Sequence, residues 1–337
     1  MVSNEQIREI FARFSRQKAL IIGDVMVDTY VRGKVERISP EAPVPVLAVS
    51  QRENLLGGAA NVALNIKSLA ATPILCSVVG NDEQGDLFLS LLEKENLPTT
   101  CICRSNQRST TTKFRFIGNN AHLLRVDDEM THDIAETDEN ILLGKIRDTL
   151  ASLPIDVVIF QDYNKGVITP RIISEVTKMA KRYAIPITVD PKKKNFTAYC
   201  GVSLFKPNLK ELKEGLNMDV GARNFAQLQQ AAQKLHLNQQ VDNVMFTLSE
   251  SGIFMSSKQP DASCEAFTIP AHLRSITDVS GAGDTVISVA SLCLAQQASP
   301  WLTAALSNLA GGLVCEFIGV VPVDIQRMQE EALQLNQ

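Results

Sequence analysis

Five short apolar runs, each stopping on a polar residue, constrain this chain more than anything else in it. "KALIIGD" ends at Asp24, "DVVIFQD" at Asp162, "IPITVD" at Asp190 and "SLFKPN" at Asn208, while "NVMFTLS" carries Thr247 and Ser249. None alternates between apolar and polar residues, so neither face of these strands is meant for water. Helical patterns lie between and around them, near residues 59–70, 137–152, 169–183, 222–236 and 284–296. Thr169-Pro170 supplies an N-cap followed by proline at the first helical position. Strands buried on both faces, alternating with helices, predict an α/β fold: a doubly wound, mostly parallel sheet flanked by helices. Ligands of such sheets bind outside the carboxyl ends of the strands, and the five polar terminators would all collect there.

Composition sets the bounds. The chain has 337 residues, a formal net charge of −4, 45% hydrophobic and 21% charged residues. That supports one domain over residues 1–337 and gives no basic surface for nucleic acid. The opening "MVSNEQIREIFARFSRQ" has no apolar h-region and reads as a short amphipathic helix. The most membrane-like stretch, "LTAALSNLAGGLVCEFIGVV", contains Asn308, Glu316 and glycine breaks, so it reads as a buried helix followed by a loop. Seven scattered cysteines without paired spacing read as reduced, mostly buried thiols. Together these predict a cytoplasmic protein with no membrane partner.

Two regions depart from the strand–helix pattern. Residues 29–56 and 99–126 are polar, β-rich and without helical period. "PVPVLAV" and "TTTKFRFIG" are flanked by proline or alternate, as edge strands do. These segments are expected to form a small β-lid over the strand ends. Open strand edges seek partners, so a homodimer through the lid is expected.

Two glycine-rich helix starts remain. In "LLGGAANVALNI", Gly57 and Gly58 open an apolar-periodic helix that carries Asn61. In "DVSGAGDTVISV", Gly281, Ala282 and Gly283 precede Asp284 and another helix. Either could be only a tight turn. The alternative is an anion cradle, because the first amides of a helix lack intrahelical partners and sit at its positive end. Asp284 beside such a cradle is a candidate base for a substrate hydroxyl, and Asn61 can donate to and accept from a small polar ligand. No G-x-x-x-x-G-K-[ST] occurs, and no G-x-G-x-x-G follows the first strand, which excludes P-loop and dinucleotide-type sites. None of the four histidines falls in a motif.

The pair "GGAANVA" and "DVSGAGDT", in this order, resembles the two signatures of the ribokinase-like (PfkB) carbohydrate kinases. The resemblance runs from "IIGDVMVD" to "EFIGVVPV". A narrower one, carried by "GDVMVDTYVRGKVERISPEAPVPVL", "DYNKG" and "DPKKKNF", is to bacterial D-glycero-β-D-manno-heptose 7-phosphate kinases. In many such proteins a nucleotidyltransferase domain follows, and the resemblance here covers the kinase half. It implies transfer of the ATP γ-phosphoryl group to the anomeric hydroxyl of a sugar phosphate in ADP-heptose synthesis. It implies Asp284 as base and the backbone of Gly281, Ala282 and Gly283 as anion hole. Asp24, Asp28, Gly57, Gly58, Asn61 and Asp162 would hold the sugar. Asn208 and Glu211 in "PNLKE" would orient Mg²⁺ and phosphates through water, and Thr247 and Gly252 in "TLSESG" would line the nucleotide side. Asp278 and Ser280 would help bind a monovalent cation, K⁺. Ser280 stands where threonine is commoner, and "EFIGVVPV" departs from the usual Gly-Thr ending of that loop.

Two lysines follow from position. Lys165 lies three residues past Asp162 and Lys192 two past Asp190. Both would face the sugar and read a phosphate already on it, unless the "KKK" run at 192–194 is solvated surface. The alternatives to a heptose phosphate kinase are a kinase for another sugar or a nucleoside, and a non-catalytic sugar- or nucleotide-binding protein. Asp284 with Asn208 and Glu211 speaks against the last.

Overall fold

The computed structural model describes residues 3–119, 121–259, 261 and 263–334. The first half of the chain runs α1 (Asn4–Phe14), β1 (Lys18–Gly23), β2 (Val25–Ile38), β3 (Pro45–Gly58), α2 (Ala59–Ser68), β4 (Thr72–Gly80), α3 (Glu83–Lys94), β5 (Ile102–Ser105), β6 (Thr112–Gly118), β7 (Ala121–Asp128) and α4 (Glu136–Ser152). The second half runs β8 (Val157–Gln161), α5 (Pro170–Arg182), β9 (Ile187–Asp190), β10 (Leu204–Phe205), α6 (Leu209–Leu216), α7 (Phe225–Asn238), β11 (Asn243–Thr247), β12 (Ile253–Lys258), β13 (Cys264–Ile269), α8 (Ala282–Ala295), α9 (Pro300–Val314) and α10 (Ile325–Ala332).

The five apolar runs are neighbours in one sheet of nine strands, ordered β13-β12-β11-β10-β9-β8-β1-β4-β5. All pairings from β11 to β5 are parallel, and only the β11–β12–β13 edge is antiparallel. The absence of alternation in these runs has a direct cause. In β1, Ala19 and Ile21 enter one core cluster while Leu20 and Ile22 enter the other. In β8, Val157 and Ile159 part from Val158 and Phe160 in the same way. On one face α1, α2, α8, α9 and α10 supply Phe11, Val62, Ile287, Leu309 and Met328, and on the other α4, α5, α6 and α7 supply Ile146, Val176, Leu212 and Leu235. Each fully buried aliphatic side chain contributes about 1.5–3 kcal/mol, so both layers are needed to hold the sheet.

The lid is a separate four-stranded sheet, ordered β3-β2-β6-β7. β2 pairs antiparallel with β3 from Val25–Gly58 out to Ile38–Pro45, with irregularities after Arg32 and Val35 that twist the ribbon. Its outer end leaves Ile38, Val49, Leu124 and Val126 exposed. The lid's boundaries differ from those expected. Its strands span 25–58 and 112–128, Asn120 lies outside the described residues, and residues 102–105 pair in parallel with β4. That last strand buries Ile102 in one cluster and Cys103 in the other, a two-faced burial that only the large sheet offers.

At the amino end, Ser3 and Gln6 form a reciprocal capping box on α1, which buries Ile7, Phe11 and Phe14. The apolar stretch from Leu302 is the buried helix α9. Among the described residues no helix is long and apolar enough to cross a membrane. Cys76, Cys101, Cys103, Cys293 and Cys315 are free and buried, and Cys200 is exposed.

Candidate active site

Asp284 sits in the first turn of α8, whose N-cap is Gly281 at φ 80° with no side-chain cap. A Cβ on Gly281 would stand 3.0 Å from both Asn61 Nδ2 and Val320 Cγ1, so backbone angle and space both demand glycine. In the first turn Ala282 N–H turns back to Val279 O at 3.3 Å, so of the amides expected to hold an anion it is those of Gly283 and Asp284 that lie open. The Asp284 carboxylate is 5% exposed and gathers donors from three elements. Asn61 Nδ2 donates to Oδ2 at 2.6 Å, from α2. Gln161 Nε2 at 3.1 Å, from the end of β8, and Tyr163 Oη at 2.7 Å both donate to Oδ1. Burial pushes the Asp284 pKa up to about 6, against the hydrogen bonds from Asn61 and Tyr163, which lower it.

Tyr163 is placed there by the segment that follows β8. Asp24 accepts the backbone N–H groups of Tyr163 (2.8 Å), Lys165 (3.1 Å) and Val167 (2.9 Å). Asp162 accepts from Asn164 N–H (2.8 Å), Asn195 Nδ2 (3.1 Å) and Tyr199 Oη (2.9 Å). Both carboxylates were expected to hold the sugar. Here each is 1% exposed and occupied by donors of the chain itself. Burial, and then the charge of Asp24, lifts the Asp162 pKa to about 6.

The lid roots carry the other expected sugar residues. β2 leaves β1 at Asp24, and β3 runs into α2 through Gly57 and Gly58. A Cβ on Gly57 would lie 2.7 Å from Asp28 Oδ2, and Gly58, at φ 63°, caps α2 with its Cβ direction 2.4 Å from the Asp24 carbonyl. Asp28 is buried and accepts from the Arg115 guanidinium of β6. Lys165 Nζ bonds Glu129 Oε1 at 2.5 Å, and Lys113 shares that carboxylate at 3.1 Å.

On the opposite side, Asn208 and Glu211 form a capping box at the start of α6. Lys192 pairs with Glu211 Oε1, and its ammonium lies 5.4 Å from the Tyr163 ring centroid. Lys192, expected like Lys165 to face the sugar, stands beside the N-x-x-E element and over the Tyr163 ring. The reason is that the chain after β9 turns toward α6. Burial alone would lower the Lys192 pKa, but the carboxylates of Asp190 and Glu211 raise it. Lys206, 2% exposed, pairs with Asp190 Oδ2 at 3.0 Å, and Gln161 Nε2 reaches the same oxygen at 3.2 Å. Thr247 bridges to Asn208 at the end of β11, and Gly252, at φ 85°, closes the turn beyond it. Asp278 accepts the amides of Ser280 and Gly319, each at 2.9 Å, which ties the turn before α8 to the "EFIGVVPV" loop.

Sequence reasoning thus collects Asp284, Asn61, Gly281 and the Asn208–Glu211 pair around one cleft. It misses Gln161, Tyr163 and Lys206 as partners of the central carboxylates. Gln161 and Lys206 had a signal: each is a polar residue at the carboxyl end of a fully apolar run. His236, which no motif claimed, is a satisfied core residue, with Nδ1 2.8 Å from Val241 O and Nε2 2.9 Å from Ser256 Oγ.

Comparison with known proteins agrees with this fold. Residues 16–324 match the pfkB family carbohydrate kinase. The bifunctional protein HldE of Mesorhizobium japonicum is 36% identical over 326 residues, 97% of this chain and 64% of that protein. The bifunctional protein HldE of Helicobacter pylori strain Shi470 is 36% identical over 321 residues, 95% of this chain and 67% of that protein. The chain therefore spans about two thirds of the length of these relatives. In fold it is similar to phosphofructokinase-2 from Escherichia coli in complex with potassium, with TM-score 0.76 at 18% identity over 94% of this chain and 99% of that one. It is likewise similar to Arabidopsis thaliana ribokinase complexed with ribose and ATP, with TM-score 0.69 at 17% identity over 93% and 98%. The chain belongs to the pfkB family of carbohydrate kinases, phosphotransferases that act on an alcohol acceptor.

Proposed function

We propose that this chain transfers the γ-phosphoryl group of ATP to the anomeric hydroxyl of D-glycero-β-D-manno-heptose 7-phosphate, giving the 1,7-bisphosphate. The observation that carries phosphotransfer is the buried Asp284 carboxylate at the open, uncapped start of α8. Asp284 takes the proton of the acceptor hydroxyl, and the first-turn amides of α8 stabilise the charge on the transferring oxygens. Asp28, Asn61 and the backbone at Gly57 and Gly58 orient the sugar. Asp24 and Asp162 support that wall by fixing the 163–167 segment. Lys165, on the lid side, reads the distal phosphate, and Lys192 faces the transferring one.

A divalent ion, Mg²⁺, suits the nucleotide side. Among the described residues no group of three or more metal-ligating side chains exists. An ion held mainly by phosphate and water, with Asn208 and Glu211 at one remove, fits that arrangement. Mg²⁺ would neutralise phosphate charge, while Thr247 and Gly252 line the nucleotide. Asp278 and Ser280, at the turn before α8, are the candidates for K⁺. The heptose assignment rests on the resemblance of "RISPEAPVPV" and "DPKKKNF" to heptose 7-phosphate kinases, and on relatives that carry the HldE name.

The test is ADP release with a panel of heptose 7-phosphate, fructose 6-phosphate, ribose and a nucleoside. Turnover is expected with the first, and equal or greater kcat/KM with another acceptor would replace the assignment. The exposed apolar residues of the lid support a homodimer through that sheet. Light scattering at micromolar concentration should give twice the chain mass, and Leu124→Glu with Val126→Glu should give the monomer. A dimer that survives both changes would move the interface elsewhere.

A further inference from the structure

A carboxylate has about four in-plane acceptor places, two on each oxygen. On Asp284, Oδ1 holds two donors, Gln161 Nε2 at 3.1 Å and Tyr163 Oη at 2.7 Å. Oδ2 holds one, Asn61 Nδ2 at 2.6 Å. One place is left, on Oδ2.

The two donors on Oδ1 are themselves fixed. Gln161 ends β8 and spans from Asp284 to Asp190. Tyr163 has its backbone N–H on Asp24, and its ring carries the Lys192 ammonium. The next residue, Asn164, takes the left-handed conformation at φ 56°, held by its own amide on Asp162. Two buried carboxylates, Asp24 and Asp162, and the partly exposed Lys192 thus serve to aim one phenol. Burial and the charge of Asp284 keep that phenol protonated, so it remains a donor.

We propose that Tyr163, with Gln161, is a positioning residue that fills Oδ1 of Asp284 and thereby turns the single free place on Oδ2 toward the acceptor hydroxyl. This rests on the phosphotransfer reading above. The acceptor O–H proton passes to Oδ2 as the acceptor oxygen bonds to phosphorus, and the phosphorus–oxygen bond to ADP breaks. Because Tyr163 donates to the ionised form, it also holds the base below the value burial alone would set. The other charged groups that face Asp284 are Asp190, at the end of β9, which opposes its ionisation, and Lys206, after β10, which favours it. Lys192 faces it from beyond Tyr163.

The decisive variant is Tyr163→Phe, read in two ways. Carbon-13 NMR of the Asp284 side chain, in the protein without substrate, should show its pKa raised by about one unit, the loss of one charge-assisted hydrogen bond. Turnover should fall about tenfold in kcat with little change in sugar KM, and its acidic limb should move up with the NMR value. Gln161→Met should act in the same direction and serves if Tyr163→Phe folds poorly. Tyr199→Phe, which loses a phenol hydrogen bond that is more deeply buried but made to Asp162, should leave the Asp284 titration in place. An unchanged Asp284 pKa in both Tyr163→Phe and Gln161→Met overturns the proposal. Because the titration needs no substrate, wild-type protein that phosphorylates none of the panel would count against the kinase reading and leave this result to stand or fall by itself.

Discussion

Asp24 and Asp284 invite comparison. Each is a carboxylate buried to within 5% of full burial at the head of the same cleft, and burial raises the pKa of both. Their donors differ in kind. Asp24 takes three backbone amides from a single segment, residues 163 to 167. Asp284 takes three side-chain donors, Asn61 from α2 and Gln161 and Tyr163 from the end of β8 and the residues after it, and among the described residues keeps one acceptor place free. The first pattern is that of a tether; the second, on the function proposed above, is that of a base with one place kept for a group from outside the chain. Burial and a raised pKa alone do not separate the two roles; the source of the donors and the capacity left over do.

The strongest way to break this comparison is Asp284→Asn. It should reduce single-turnover phosphorylation by about 10²–10⁴-fold, the usual loss for a general base. ATP affinity should survive. The thermal midpoint should stay close to wild type, because the Asn61 amide can flip to accept from the new amide. In the wild type, kcat/KM should be half its plateau near the Asp284 pKa of about 6, level off about one pH unit above it, and fall with acid as the carboxylate gains its proton. A loss under about threefold, or a profile with no acidic limb, would take Asp284 out of the mechanism.

Asp24→Ala tests the other half. Three amides would lose their acceptor, and an unpaired buried donor costs about 1–3 kcal/mol before relaxation. Urea unfolding should therefore show a loss of about 3 kcal/mol, and turnover should fall with it because Tyr163 is no longer held. Unchanged stability with a raised sugar KM would instead make Asp24 a direct ligand of the sugar, as its sequence position suggested.

Much of this was legible beforehand, for a physical reason. A strand covered on both faces cannot alternate, so β1, β8, β9, β10 and β11 announced themselves, and their order along the chain is their order in the sheet, with β4 and β5 on the far side of β1. The antiparallel β12–β13 hairpin left less of a mark: β13 is the partly exposed edge, and β12, though buried, ends in the polar residues Ser256, Ser257 and Lys258. Residues 102–105 read as lid because four residues are too few to show two-faced burial. In the site, glycines and Asp284 were visible because backbone geometry restricts those positions to few residue types. Tyr163 was not, because its role depends on a bend set by Asp24, a residue about 140 positions away. Lys192 was seen, but its contacts with Glu211 and the Tyr163 ring were not, since nothing local shows which way the chain turns after a strand.

Lys192 gives a smaller expected effect than either carboxylate and sharpens the comparison most finely. Its ammonium lies between the Glu211 carboxylate and the Tyr163 ring, with Asp190 close by. Lys165 lies on the lid side, against Glu129. If the two lysines serve two different phosphates, their alanine variants must fail differently. Lys192→Ala should lower kcat by about 2 kcal/mol, roughly 30-fold, with little change in the KM for the sugar phosphate, because it loses a charge partner of the group in flight. Lys165→Ala should raise that KM and leave an unphosphorylated sugar unaffected. Equal losses of KM in both variants would return Lys192 to the distal phosphate. An unchanged Lys192→Ala enzyme would mean that this cation only balances the charges of Asp190 and Glu211.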